Sequence, residues 1–135
     1  VYEKQLAQNV FVSQNSTMLA SYFSVDVTAR PGHTADEIEA AIHAELARFL
    51  ESGPDAAEVS LALNQIETQT VQGLERLGGF GGVADTLNHY NHYTGDPGYL
   101  QQDIARYRAV TPESARRVAQ QYLQPNARVV VHGVP

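Results

Sequence analysis

The chain has 135 residues, no cysteine, and nine Lys and Arg against fifteen Asp and Glu, giving a formal charge of -6. That length suits one domain with a core of its own, and without thiols there is neither a disulfide framework nor a thiolate metal site. No basic cluster follows a phosphate backbone, which argues against nucleic acid, and no apolar run approaches the roughly 18 residues of a membrane span.

The chain opens on Val1 with no signal-like segment. Residues 1–6 read as the end of something already under way, so the expectation is a single-domain fragment, 1–135. Val10-Phe11-Val12 is a short β-branched and aromatic run, and Gln14-Asn15-Ser16-Thr17 supplies turn chemistry after it. From Tyr22 to Arg30 polar and apolar side chains alternate without a break. Successive strand side chains point to opposite faces, so Phe23, Val25, Val27 and Ala29 are expected to look inward. Tyr22, Ser24, Asp26, Thr28 and Arg30 are expected to look out. The two runs predict an antiparallel hairpin.

Beyond Arg30-Pro31-Gly32 the period changes to that of a helix. Thr34 and Glu37 form a capping box, and Ile38, Ile42, Leu46, Phe49 and Leu50 share one face. Gly53-Pro54 stops that helix. Asp55 and Glu58 make a second capping box, followed by Val59, Leu63, Ile66, Thr70, Leu74 and Leu77 at helical spacing, which predicts the longest helix. Gly78-Gly79-Phe80-Gly81-Gly82 breaks the pattern. With no Lys-Ser or Lys-Thr after it and no strong strand before it, a helix-helix corner is favoured over a phosphate loop.

The helical pattern resumes over residues 83–93, and Gly95-Asp96-Pro97-Gly98 is a turn. Tyr99, Leu100, Ile104 and Tyr107 suggest a short helix. Thr111-Pro112 opens another, whose apolar face is Ala115, Val118, Ala119, Tyr122 and Leu123. Val129-Val130-Val131 then reads as a strand returning to the sheet. The sum is an α+β fold, an antiparallel sheet covered on one face by several helices, as a two-layer sandwich.

Candidate chemistry is sparse. Asp85, His89 and His92 fall at i, i+4 and i+7, enough ligands for an open zinc site. Their helix face lies opposite Val83, Leu87 and Tyr90, however, and no Glu stands beside the histidines as a general base, so a solvated face is the favoured reading. Asp26 reads as a solvated strand carboxylate on the polar face.

Six segments, read in order, carry a resemblance. They are Val1-Tyr2-Glu3-Lys4-Gln5-Leu6-Ala7, the hairpin, the capped helix ending at Gly53-Pro54, Gly95-Asp96-Pro97, Ala109-Val110-Thr111-Pro112-Glu113, and Gln121-Tyr122-Leu123-Gln124-Pro125-Asn126. Together they resemble the pitrilysin, insulinase and mitochondrial processing peptidase family of zinc metallopeptidases, in the C-terminal part of its non-catalytic domain. The family pairs homologous α/β domains in a clamshell, one carrying H-x-x-E-H and the other no metal. This chain lacks that motif: His43-Ala44-Glu45 has no second His after it. In active members the segment matching residues 1–10 often carries an Arg and then a Tyr that reach the substrate. Val1 and Gln8 stand at those positions, with neither the charge nor the phenol.

The resemblance implies the non-catalytic half of a zinc-dependent metalloendopeptidase, walling in the substrate opposite a catalytic domain that carries H-x-x-E-H elsewhere. Tyr22, Ser24, Asp26 and Thr28 are then the expected substrate-facing residues. Zinc is expected in the catalytic domain of the parent or partner and none in this chain, and the partners are a homologous catalytic domain or subunit and a peptide. The alternative is a structural or assembly subunit with the same fold and no proteolytic role. The compartment stays open, with the bacterial periplasm or another extracytoplasmic space as the working expectation.

Overall fold

A computed structural model describes residues 4–133. Among them are two strands, β1 (Ala7–Ser16) and β2 (Ser21–Ala29), and five helices, α1 (Ala35–Ser52), α2 (Ala56–Leu74), α3 (Val83–Thr94), α4 (Leu100–Arg108) and α5 (Pro112–Tyr122). The expected α+β class is what the chain adopts. It divides into two compact units, one holding the residues up to Glu51 and from Gln120 on, the other running from Ser52 to Ala119.

In the first unit β1 and β2 pair antiparallel, with Val10 opposite Val27, Val12 opposite Val25 and Gln14 opposite Phe23. Opposed residues share a face, so these six side chains form one side of the ribbon. Val25, Val27 and Ala29 are half-buried and Asp26 and Thr28 exposed, as the alternation predicts, whereas Ser24 and Arg30, expected to look out, are half-buried. Phe23 departs from it at 41% exposure, close to the turn, and Val10 and Val12 on the same side of β1 are exposed as well. The turn also differs from expectation. Gln14, Asn15 and Ser16 continue β1, and the chain reverses over residues 17–20, where the Thr17 N–H and hydroxyl both donate to the Ala20 carbonyl. Gln14, Asn15 and Ser16 are turn formers, but here each stands opposite a β2 residue, and the ladder outweighs local turn preference.

Helix α1 begins where the capping box places it: Thr34 N–H donates to Glu37 Oε2 at 2.8 Å and Glu37 N–H to Thr34 Oγ1 at 3.2 Å. The hydrogen bond from the Thr34 backbone holds the Glu37 carboxyl below the ordinary range for Glu. Ile38 is buried, and Ile42, Leu46, Phe49 and Leu50 are half-buried along the predicted face. Near the start of the chain, Lys4 Nζ reaches Glu45 Oε1 at 2.9 Å. Residues 129–131, expected to be a strand, form none. Val129 and Val131 are 90% and 85% exposed, and the sheet consists of β1 and β2 among the described residues. A run of β-branched residues becomes a strand only when a ladder satisfies its backbone. Here the segment is held instead through the side chain of His132.

In the second unit the Asp55 and Glu58 capping box closes at 2.9 and 2.7 Å and opens α2, the longest helix at 19 residues. Its half-buried stripe is Val59, Leu63, Ile66, Thr70 and Gly73. Arg108 on α4 clasps Glu67 on α2 with a fork at 2.6 and 3.1 Å, which lowers the Glu67 pKa and raises that of Arg108. At α5, Thr111 Oγ1 accepts the Ser114 N–H while Ser114 Oγ accepts the Thr111 N–H, so a serine fills the reciprocal position of the box.

The glycine corner behaves as a corner. Gly79 and Gly81 adopt φ of 81° and 74°, and Val83 N–H bonds the Arg76 carbonyl at 2.8 Å, drawing the two ends of the loop together. Gly82 is buried there, and a Cβ on it would sit 2.7 Å from the Gly78 carbonyl oxygen and 2.9 Å from that of Arg76. A Cβ on Gly78 would meet nothing within 4 Å. Gly82→Ala is therefore expected to lower unfolding free energy by about 1–3 kcal/mol, and Gly78→Ala to stay within about 0.5 kcal/mol of wild type. Urea denaturation of the two variants checks the contrast.

Candidate functional site

The four residues expected to face substrate lie on one side of the hairpin, and β1 adds its own to them. Thr28 stands opposite Asn9, Asp26 opposite Phe11, Ser24 opposite Ser13 and Tyr22 opposite Asn15. Their polar atoms form a chain: Asn15 Nδ2 donates to Ser13 Oγ at 3.0 Å, the Ser13 hydroxyl donates to Ser24 Oγ at 2.9 Å, and Ser24 Oγ donates to Asp26 Oδ2 at 3.1 Å. Phe11 and Tyr22, both more than 60% exposed, stand on the same face. The result is an ordered polar ladder with an aromatic on each strand. Such a surface can take peptide amides on its hydroxyls and carboxylate and apolar side chains on its rings.

The residue standing at the family's Tyr position is in a special place. The register slips between Ala7 and Asn9, so Gln8 is the extra residue of a β-bulge at the end of the ladder. The Arg30 backbone N–H bonds the Leu6 carbonyl at 2.9 Å and its side-chain Nε bonds the Ala7 carbonyl at 3.2 Å, pinning the strand beside the bulge. Val1 lies outside the described residues. The chain's own residues do not fit the family's zinc: Glu45, after His43, is engaged by Lys4 and by Arg48 at 2.9 and 3.0 Å.

The candidate trio on α3 is not gathered around a common point. Asp85, His89 and His92 are all exposed, as the helical periodicity implies. The Asp85 carboxylate accepts the Gly81 N–H at 2.9 Å, so it secures the glycine corner. The His89 ring lies 4.7 Å from Tyr93, and the His92 ring lies 4.7 Å from the same tyrosine on an edge-to-face approach. Asp85 and His89 do line an open depression of about 250 Å³ with Thr70, Thr86, Tyr90 and Leu100.

A different group is drawn together, and sequence reasoning missed it. Asp36, Glu39 and His132 place one ligand atom each within 4.8 Å of one another. His132 Nε2 is 3.0 Å from Glu39 Oε2 and its Nδ1 is 4.0 Å from Asp36 Oδ1, while His43 Nε2 stands 3.4 Å from the other Glu39 oxygen. Half of this was visible in the sequence, since Asp36, Glu39 and His43 at i, i+3 and i+7 share a helix face. His132 arrives from 93 residues away, and no periodicity reports that.

The fold is of the α+β class, with an ordered polar ladder on one side of its hairpin. Residues 1–66 match the family model described as the Peptidase M16 inactive domain. That match agrees with the resemblance over residues 1–66. No curated protein and no solved structure matches the chain.

Tyr90 is the one phenol with a marked shift in this region. Burial, then its 3.0 Å hydrogen bond to Asp103, pushes it up to about 12 from 10.0. A pKa raised on folding gives stability that is full below the unfolded value and lost as pH rises through the folded one. Tyr90→Phe is thus expected to be about 0.5–1.5 kcal/mol less stable than wild type at neutral pH. The gap should narrow between pH 10 and about 12, as read by urea unfolding at stepped pH.

Proposed function

We propose that this chain serves as the non-catalytic half of a zinc-dependent metalloendopeptidase, lining the substrate chamber with the polar face of its hairpin. The observation that carries the proposal is the ordered ladder Asn15-Ser13-Ser24-Asp26 within the stretch, residues 1–66, that matches the inactive domain. Domains of that kind pair with catalytic domains. The zinc and H-x-x-E-H then belong to the partner domain, and the role here is to hold a peptide in place. Hydroxyl and amide groups on a preformed strand pair lose little freedom on binding, which suits them to accept an extended substrate.

A second reading, an assembly subunit without proteolytic function, is favoured by Gln8. Where active relatives carry a phenol reaching to substrate, Gln8 offers an amide on a bulge.

The experiment uses the intact protein with its catalytic domain. Asp26→Lys reverses a charge on an exposed strand position and should change stability by no more than about 0.5 kcal/mol, yet shift peptide KM with kcat little altered. Val25→Asp places a carboxylate on the half-buried opposite face and should cost about 1–3 kcal/mol in unfolding free energy. Unchanged KM for a panel of peptides in Asp26→Lys would remove the hairpin from the chamber wall. Absence of any peptidase activity in the intact wild-type protein would favour the assembly reading.

A further inference from the structure

We propose that Asp36, Glu39 and His132 form a divalent transition-metal site, with Zn2+ its expected occupant, that staples the segment after α5 to the first turns of α1. This site is separate from the family's catalytic zinc and independent of the chamber reading.

The geometry is close to what a metal needs. Around a tetrahedral ion with ligand bonds of about 2.0–2.1 Å, neighbouring ligand atoms stand about 3.3 Å apart. His132 Nε2 and Glu39 Oε2 are already 3.0 Å apart, and all three residues offer ligand atoms within 4.8 Å of one another. Asp36 is the ligand that must close in. Its side chain is 93% exposed and can swing inward without displacing a packed neighbour. Two carboxylates and a neutral imidazole carry two negative charges, which balance a divalent ion. The imidazole selects for zinc and its transition-metal neighbours over calcium and magnesium, which prefer oxygen alone.

Support behind the ligands distinguishes this cluster from a chance meeting of charges. Glu39 stands between two histidines, with Oε1 3.4 Å from His43 Nε2 and Oε2 3.0 Å from His132 Nε2. His43 thus acts as a positioning residue, holding the Glu39 carboxylate with its other oxygen turned toward His132. A carboxylate held in this way is the outer support that metal centres use to orient a ligand. Asp36 and Glu39 sit in the first turns of α1, one helix step from each other. His132 is the contribution of a segment with no ladder of its own, so a metal there would fix that segment by a bond rather than by packing.

The test is isothermal titration of ZnCl2 into the untagged full chain, with Co2+ absorption to report ligand number. One ion per chain is expected, with d–d bands of a four- or five-coordinate centre and slower proteolysis beyond Leu123 when zinc is present. His132→Ala should abolish binding, and so should Glu39→Gln, which keeps the carboxylate's shape. His43→Ala should keep the stoichiometry and weaken affinity roughly 10–100-fold. The paired variant His89→Ala with His92→Ala should bind as wild type. Circular dichroism confirms that each variant is folded. No binding by the folded wild type overturns the proposal and leaves His132 an ion-pairing residue alone. Binding that survives His132→Ala, or is lost with His89 and His92, overturns it in favour of another site.

Discussion

Everything placed on the hairpin depends on its register. Side chains alternate faces with a period of two, so a slip of one residue between β1 and β2 would carry Val25 and Val27 to the face that now holds Asp26, and Asp26 to theirs. Several contacts hold the pairing in place. The reversal at Thr17 and Ala20 fixes one end. Valines stand opposite valines at two successive positions of one face, and a serine pair hydrogen-bonds across the strands on the other. At the far end the bulge at Gln8 absorbs one residue, allowing Ala7 to meet Ala29 with its side chain buried. The polar ladder is thus a consequence of the same register that sorts the valines.

A two-stranded ribbon is marginal by itself, and burial in this chain is modest. Ala7, Ile38 and Ala119 are the buried apolar side chains among the described residues, so the helices bury stripes rather than a closed core. Under those conditions the ends of elements carry more weight than they would in a large core. Reciprocal caps at Thr34, Asp55 and Thr111 satisfy backbone donors that would otherwise be orphaned. The Arg108 fork on Glu67 and the Val83 bond to the Arg76 carbonyl then fix how neighbouring segments meet within the second unit.

What could be read in advance follows from the range of each interaction. Caps are local and appear where the residues announced them; the stripes and the β2 alternation do so only in part, since Leu74, Leu77, Val118, Tyr122 and Phe23 are exposed. The corner at Gly79 and Gly81 was legible because positive φ has few other tenants. The turn at residues 17–20 was not, because Asn15 and Ser16 look like turn residues until a partner strand gives them cross-strand neighbours. Residues 129–131 misled for the converse reason: propensity was present and a pairing strand was not. The trio on α3 shared a helix face, as its spacing implies, yet Asp85 turned to the Gly81 N–H and both histidines to Tyr93. A shared face does not make a shared centre.

The same limit explains why Glu39 escaped notice. In sequence it is one of many helix carboxylates, and His132 follows three valines in a stretch that reads as strand. Folded, the two meet at 3.0 Å, with residues 129–131 in irregular backbone. The strand expectation failed in the same stretch in which His132 turns to α1. A contact between residues 93 positions apart is set by the folded chain, and neither the helix period around Glu39 nor the valine run before His132 reports it.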